Sequence, residues 1–480
     1  MAGMSSPNIL FILTDDLGQR DLGCYGSTFY ETPHLDRLAR RGMLFSDGYA
    51  ACPVCSPTRA SVMSGKYPAN VGVTNFISHA GNHPSTGRLI DAPYIDHLPA
   101  VEHTLADALR DGGYQTWHVG KWHLGREPYW PQHRGFDVNV GGNDCGHPKG
   151  GYFAPWNLAN LPGDDVPEGT YLDEHLTDRA VELIEQRDAD RPFFLNFWPY
   201  LVHTPIQAPE HLVEKYRAKA AAWGLDQIDP LVEGDLFPCD HKKDQRLQRR
   251  MLQSHPVYAA MVEMLDICVG RLLDAIEAAG QADDTIVIFT SDNGGLATAE
   301  GSPTCNFPLA EGKGWMYEGG VRESLIVSWP GVTVPGSTCD VPVTSPDFYP
   351  TLLEVAGLDP LPDQHTDGVS FADLLHGDRT LEREAIYWHY PHYGNQGGTP
   401  GSSVRCGAWK LIEFFEDGRQ ELYHLPTDLG EDRNLADAEP ATRDRLHAML
   451  KDWREKTEAK IPQINPDYQP PTDPASDPTV

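Results

Sequence analysis

The sequence predicts an α/β protein: a mostly parallel central sheet flanked by helices, with a smaller C-terminal α+β subdomain. Three observations carry that prediction. Short apolar runs alternate with helical patterns through residue ~375. Several of those runs stop abruptly at acidic, amide or basic residues, as strands do at the ligand-facing rim of an open sheet. Near Thr380 the pattern changes to half-apolar segments joined by polar turns. A chain of 480 residues also exceeds one hydrophobic core, so two units are expected, 1–378 and 379–480.

Taken in order, Asn8–Thr14 is apolar almost throughout and ends at Asp15-Asp16, which suits a strand buried on both faces. Leu35–Arg41 is helical. Thr104 caps a helix through Asp111 that Gly112-Gly113 stops, and Tyr114–Val119 follows as a strand. Leu176–Gln186 is a helix leading into the strand Pro192–Trp198. Met261, Leu265, Cys268, Leu272 and Ile276 recur at helical spacing within Tyr258–Ala279, a core-facing stripe. Gly280 ends that helix before the strand Thr285–Thr290. In the second unit Ala408–Ile412 and Glu421–Leu425 read as antiparallel strands, and Ala441–Lys456 as a helix. From Pro462 the chain is rich in Pro and Asp and is expected to wrap or hang loose.

Composition narrows the partners. A formal net charge of −31 argues against nucleic acid and against an anionic membrane, since both are polyanions. An anionic substrate must then be drawn by local cations. No run approaches the ~18–20 apolar residues of a membrane span. The first residues lack a basic region and a long apolar stretch, so the chain as given is expected to be cytoplasmic, or periplasmic or secreted if a signal has been removed. Nine scattered cysteines favour free thiols over a disulfide framework.

The residues that carry chemistry follow strand ends. Asp15-Asp16, Asp292-Asn293, and Lys121 with His123 all stand just past apolar strands, at one rim of the expected sheet. Three carboxylates and an amide oxygen form an all-oxygen set that suits a hard divalent cation, Ca²⁺ or Mg²⁺, better than zinc. Cys55-Ser56-Pro57-Thr58-Arg59 continues to Ser64-Gly65, a C-x-P-x-R core with a fixed extension. If it opens a helix, Arg59 lies one turn past Cys55 and reaches back towards it. Lys121 and Lys313 would complete an anion clamp, and His203, after the Phe193–Trp198 strand, could protonate a leaving alcohol. His118 lies inside a strand pattern and reads as ordinary. Cys52-Pro53-Val54-Cys55 is also C-x-x-C, and a thioredoxin-like redox pair is the competing reading.

The long signature, with Tyr67-Pro68-Ala69, Gly120-Lys121-Trp122-His123-Leu124-Gly125, His203-Thr204-Pro205, Ser291-Asp292-Asn293-Gly294-Gly295 and Glu318-Gly319-Gly320-Val321-Arg322, resembles the type I, formylglycine-dependent sulfatases of the alkaline phosphatase superfamily. The resemblance runs from Asn8 to Leu425. It implies that a formylglycine-generating maturation enzyme oxidises Cys55 to an aldehyde, and that Asp15, Asp16, Asp292 and Asn293 bind Ca²⁺ together with residue 55. Hydrated, the aldehyde carries two hydroxyls on one carbon. One attacks sulfur, and loss of a proton from the other expels sulfate by elimination, dividing one hard step into two. Arg59, Lys121, His123, His203 and Lys313 would surround the nucleophile, His123 assisting collapse of the hemiacetal. One departure is mild: Met63-Ser64 stand where the signature usually has Leu-Thr, which bears on maturation efficiency.

Tyr129-Trp130-Pro131, Arg134-Gly135-Phe136-Asp137 and Gly141-Gly142-Asn143-Asp144, with Tyr152-Phe153, resemble bacterial carbohydrate sulfatases acting on galactose or N-acetylgalactosamine sulfates. By that analogy the substrate is a sulfated mono- or oligosaccharide, with Asn143, His389, His392, Asn395 and Arg405 near the sugar. A phosphonate monoester or phosphodiester hydrolase using the same nucleophile, and a non-catalytic sulfated-glycan binder, are the alternatives. The sequence leaves the oligomeric state open.

Overall fold

The computed structural model describes residues 6–78 and 87–468. The central sheet has nine strands. Its spatial order is Ser337–Cys339, Met43–Tyr49, Arg322–Ser328, Thr285–Ser291, Asn8–Thr14, Phe193–Trp198, Gln115–Gly120 and Val138–Val140, with Val343–Thr344 also on Met43–Tyr49. Asn8–Thr14 lies between Phe193–Trp198 and Thr285–Ser291, parallel to both. Only Arg322–Ser328 runs antiparallel to both of its neighbours. The sheet is thus mostly parallel, as expected.

Coverage on both faces explains the unbroken apolar runs. Leu10 and Ile12 join one core layer with the helices Leu172–Glu185 and Pro256–Ala278. Ile9, Phe11 and Leu13 join the other, with Leu105–Asp111, Cys55–Ser64 and Phe348–Val355. Thr104 accepts from Asp107 N while the Asp107 carboxylate accepts from Thr104 N, the reciprocal cap that starts its helix. Met43–Tyr49 and Arg322–Ser328 went unread because Ser46, Asp47, Arg322, Glu323 and Ser324 interrupt their apolar pattern.

The second sheet is antiparallel: Ile386–Tyr390, Gly401–Cys406, Trp409–Phe414 and Gln420–His424. Val404, Leu411 and Leu422 pack against Leu446, Leu450 and Trp453 of the helix Pro440–Lys456. A buried ionic cluster joins the two sheets. Lys410 Nζ lies 2.8 Å from Glu318 Oε1 and 3.0 Å from Glu431 Oε1, while Asp47 takes Arg322 at 3.1 Å and also Arg405. The tail wraps: Gln463–Ile464 pairs with Leu89–Ile90, and residues 469–480 lie outside the described part. The nine cysteines form no disulfide among the described residues. Among the described residues no helix is long and apolar enough to cross a membrane.

Candidate active site

The signature does open a helix, Cys55–Ser64, every residue of which is buried. Ser56 fixes its start, donating from Oγ to His123 O at 2.9 Å and accepting from Ile77 N at 3.1 Å. Arg59, one turn on, is wholly buried. Its Nε donates to Asp292 Oδ2 at 2.9 Å and its Nη1 to Lys121 O at 3.1 Å, beneath the Trp198 ring. It therefore ties two strand-end loops together beside Cys55.

Those loops converge at the carboxyl ends of the parallel strands. Lys121 Nζ donates to Asp15 Oδ2 at 2.6 Å, and Lys313 Nζ to Asp16 Oδ2 at 2.7 Å. Asn293 Nδ2 donates to Asp16 Oδ1 at 2.8 Å, and Asp16 N to Asp292 Oδ1 at 3.3 Å. Gly120 makes the turn into Lys121 at φ 108°, where a Cβ would meet Trp198 O at 2.0 Å. Asp16 and His123 are non-glycine residues at φ 61° and 57°, strain of the kind that a surrounding structure holds in place at functional sites.

The histidine tautomers follow from their carbonyl partners, which only accept. His123 Nε2 donates to Ile77 O at 2.7 Å, leaving Nδ1 buried without a partner. His203 Nδ1 donates to Thr204 O at 2.8 Å, so its Nε2 accepts from Lys313 Nζ at 3.1 Å. Burial, then the Lys313 ammonium, push His203 down to about 3. Burial and Lys121 hold His123 well below its ordinary value. Both rings are neutral. Burial raises Asp16, but the Lys313 ammonium outweighs it and holds the carboxyl far down. Asp292 is pushed up to about 6 by burial and then by Asp15. Burial lifts the Cys55 thiol to about 12 despite Lys121 and Lys313, so an unmodified cysteine there is a poor nucleophile.

A divalent cation fits these residues. Asp15 Oδ1 and Asn293 Oδ1 are buried with no hydrogen-bond partner. Ligand atoms of Asp15, Asp16, Cys55 and His203 lie within 4.8 Å of one another, although the His203 nitrogen is already engaged by Lys313. The free donors are hard oxygens, the preference of Ca²⁺ and Mg²⁺.

Above this floor opens a cavity of about 480 Å³. Cys55, His123, His203 and Lys313 line it, together with Asp144, His147, Lys149, Glu300, Asn395 and Gln396. Of the residues expected near the sugar, Asn395 lines the cavity and four do not. Asn143 is buried, its side chain engaged by Gly141 O, Asn160 and Cys145 N, and it supports His123 through its backbone carbonyl at 2.9 Å. His389 is held by Ser402 Oγ at 2.7 Å and Lys460 O at 3.0 Å. His392 is buried, its Nε2 against Thr74 Oγ1 at 2.9 Å. Arg405 belongs to the ionic cluster between the sheets. Each has a buried partner within the protein; of their side-chain atoms His392 Nδ1 lacks a hydrogen bond, standing 3.8 Å from Asp91 Oδ1 and sealed from solvent. His118 is likewise structural, bonded to Asn196 and Gly120 O.

Two residues support the site in ways the sequence did not signal, Asp173 unread there and Tyr152 read only as part of a resemblance. Asp173 Oδ1 accepts from Tyr200 N at 2.9 Å, and Tyr152 OH lies 2.6 Å from Tyr200 O and 2.8 Å from His203 O. Together they fix the loop that presents His203. Their value lies in burial across the chain, which no local pattern signals.

Fold and floor suit a hydrolase of anionic esters: an anion clamp and a hard-cation site beside residue 55, at the carboxyl rim of a mostly parallel sheet. The chain belongs to the sulfatase family, whose model, described as Sulfatase, matches residues 7–358. A second, described as N-sulphoglucosamine sulphohydrolase, C-terminal, matches 311–459. A protein named Sulfatase from Formosa agariphila is 32% identical, over 94% of this chain and 89% of its own length. Human N-acetylgalactosamine-6-sulfatase is 30% identical over 88% of this chain and 75% of its own. A crystal structure described as Ps i-CgsB in complex with k-i-k-neocarrahexaose superposes with a TM-score of 0.74 at 27% identity, covering 98% of this chain and 95% of that one. The chain is a sulfuric ester hydrolase.

Proposed function

We propose that the enzyme hydrolyses a sulfate monoester on a carbohydrate, with galactose and N-acetylgalactosamine sulfates the foremost substrates. In this reading residue 55 works as formylglycine, and Asp15, Asp16, Asp292, Asn293 and residue 55 hold Ca²⁺ or Mg²⁺. The observation that carries it is Cys55 at the floor of the cavity, among three carboxylates and the cations of Lys121 and Lys313. The name of the human relative and the neocarrahexaose held by the solved structure support a sugar as the alcohol part.

The matured residue supplies a hydrated aldehyde as nucleophile and leaving group, and the cation supplies positive charge for sulfate oxygens. The chain's own groups do the rest. Lys121 and Lys313 orient the sulfuryl group and oppose the charge that builds on it. Arg59 keeps Asp292 and the Lys121 loop in place. His123, with Nδ1 unpartnered, takes a proton at that atom. The Lys313–His203 pair delivers one to the leaving oxygen: Lys313 Nζ carries it and His203 Nε2 holds that ammonium in position.

The test is sulfate release from a panel of mono- and disaccharide sulfates, with mass spectrometry of the peptide containing residue 55. Sugar desulfation by protein carrying the aldehyde is expected. A preference above ~10² for phosphonate or phosphodiester substrates, near 3 kcal/mol of transition-state binding, would move the enzyme to that alternative.

A further inference from the structure

Two carboxylates in the cavity have the wrong sign for their surroundings. Lys313, Lys149, His147 and His203 line a space suited to an anion, yet Asp144 lines it as well, and so does Glu300. Its field reaches both Lys313 and His147. A carboxylate there opposes entry of any sulfate ester, so tolerance of it needs a compensating contact.

The side chain is also held. Gln396 Nε2 donates to Glu300 Oε1 at 3.0 Å. Gln396 is 5% exposed, and its own carbonyl accepts from Thr298 Oγ1 at 2.7 Å and Trp315 Nε1 at 2.9 Å. Glu300 itself is exposed and sits at φ 54°, a left-handed conformation unfavourable for a residue with a Cβ. A solvated surface glutamate needs neither that backbone nor a buried partner to orient it.

Resting on the carbohydrate sulfatase reading above, we propose that Glu300, oriented by Gln396, is a specificity-determining residue. It accepts hydrogen bonds from free hydroxyls of the sugar next to the esterified carbon. It also rejects a sugar that carries a second sulfate at that place. Carboxylate–hydroxyl bonds are charge-assisted and demand a donor, which a hydroxyl supplies and a sulfate lacks. Selection by like-charge contact then adds to selection by fit. An ammonium in place of the hydroxyl is disfavoured by Lys149 and Lys313 in the same cavity.

The experiment compares kcat/KM of the matured enzyme, of Glu300→Gln and of Gln396→Ala. Substrates are 4-nitrophenyl sulfate, which has no sugar, and the 4-, 6- and 4,6-sulfated forms of galactose and N-acetylgalactosamine. The parent enzyme should prefer a monosulfate over its disulfate at least tenfold. Glu300→Gln should narrow that ratio at least fivefold, raise KM for the preferred monosulfate and leave kcat on the aryl ester within twofold. Gln396→Ala should move the ratio the same way by less. An unchanged ratio in Glu300→Gln, or aryl turnover falling in step with sugar turnover, overturns the assignment while leaving the sulfatase reading intact. Parent enzyme that cleaves the aryl ester and no sugar rejects the carbohydrate reading, and this assignment with it.

Discussion

At the cavity floor Asp15, Asp16 and Asp292 meet Arg59, Lys121 and Lys313; between the sheets Asp47, Glu318 and Glu431 meet Arg322, Arg405 and Lys410. Each cluster has three carboxylates and three cations, all removed from water. In the second, Glu431 Oε1 stands 3.0 Å from Lys410, Arg322 and Arg405 lie over Tyr49, and Lys410 lies over Trp388. In the first, Asp15 Oδ1 has no donor, Arg59 Nη2 standing 3.9 Å off, and Asn293 Oδ1 has none either. One cluster fastens two sheets, and its orphaned atom, Glu431 Oε1, still stands against the Lys410 ammonium. The other leaves two orphaned oxygens, Asp15 Oδ1 and Asn293 Oδ1, beneath the cavity floor, where a bound cation would complete it. Composition alone does not separate a structural ion cluster from a reactive one. The number and place of unsatisfied oxygens do.

The largest expected effect lies on the reactive side. Cys55→Ala should lower turnover on the order of 10⁴-fold or more, with thermal unfolding nearly unchanged. Full activity in that variant, measured on 4-nitrophenyl sulfate, would remove residue 55 from the chemistry. Cys52→Ala, by contrast, should cost about 1 kcal/mol of packing and little activity. A redox pair requires the opposite.

Next comes a matched pair of lysines. Lys313→Ala should lower kcat by about 10²- to 10³-fold at nearly parental stability. Lys410→Ala leaves Glu318 and Glu431 without their shared cation and should destabilise by ~3–5 kcal/mol, while the folded fraction keeps its kcat. Denaturation midpoints and active-site-normalised rates read the two effects separately. Equal stability losses would erase the distinction drawn between the clusters.

Chelation should act on the floor alone. Removing a divalent cation held at a hundred times its dissociation constant costs about 2.7 kcal/mol of apparent stability. Activity and melting temperature should therefore fall together and return with Ca²⁺ or Mg²⁺. A melting temperature indifferent to chelator would speak against a cation at Asp15 and Asp16.

The smallest effect concerns a carboxyl outside both clusters. Burial pushes Asp266 up to about 7 while it accepts from His34 N and Leu35 N, capping the helix Pro33–Arg41. The folded state thus holds a proton over a range where the unfolded chain, near 3.9, has released it. Its contribution is complete below the unfolded value and is lost as pH rises through the folded one. Asp266→Asn should accordingly reduce the drop in urea midpoint between pH 5 and pH 8. An identical drop in both proteins would remove Asp266 as its source.

The reactive floor was legible because its residues follow continuous apolar strands, and because the spacing of Cys55 and Arg59 is that of one helical turn. The sugar-facing side was not. Asn143, His389, His392 and Arg405 are residue types that bind sugars, but whether they face a cavity depends on partners such as Asn160, Lys460, Thr74 and Asp47. Asn395 and Glu300 do face it. They sit in turns whose course is set by contact between the two sheets, and residue type is silent about such contacts.

Residue 55 is 2% exposed, at the head of a helix with no solvent-facing side. On the proposed function, a maturation enzyme must grip the signature around that thiol as extended chain, before this helix forms. The proportion of competent molecules would then be decided during synthesis, and later incubation of folded protein with an oxidising catalyst should not raise it.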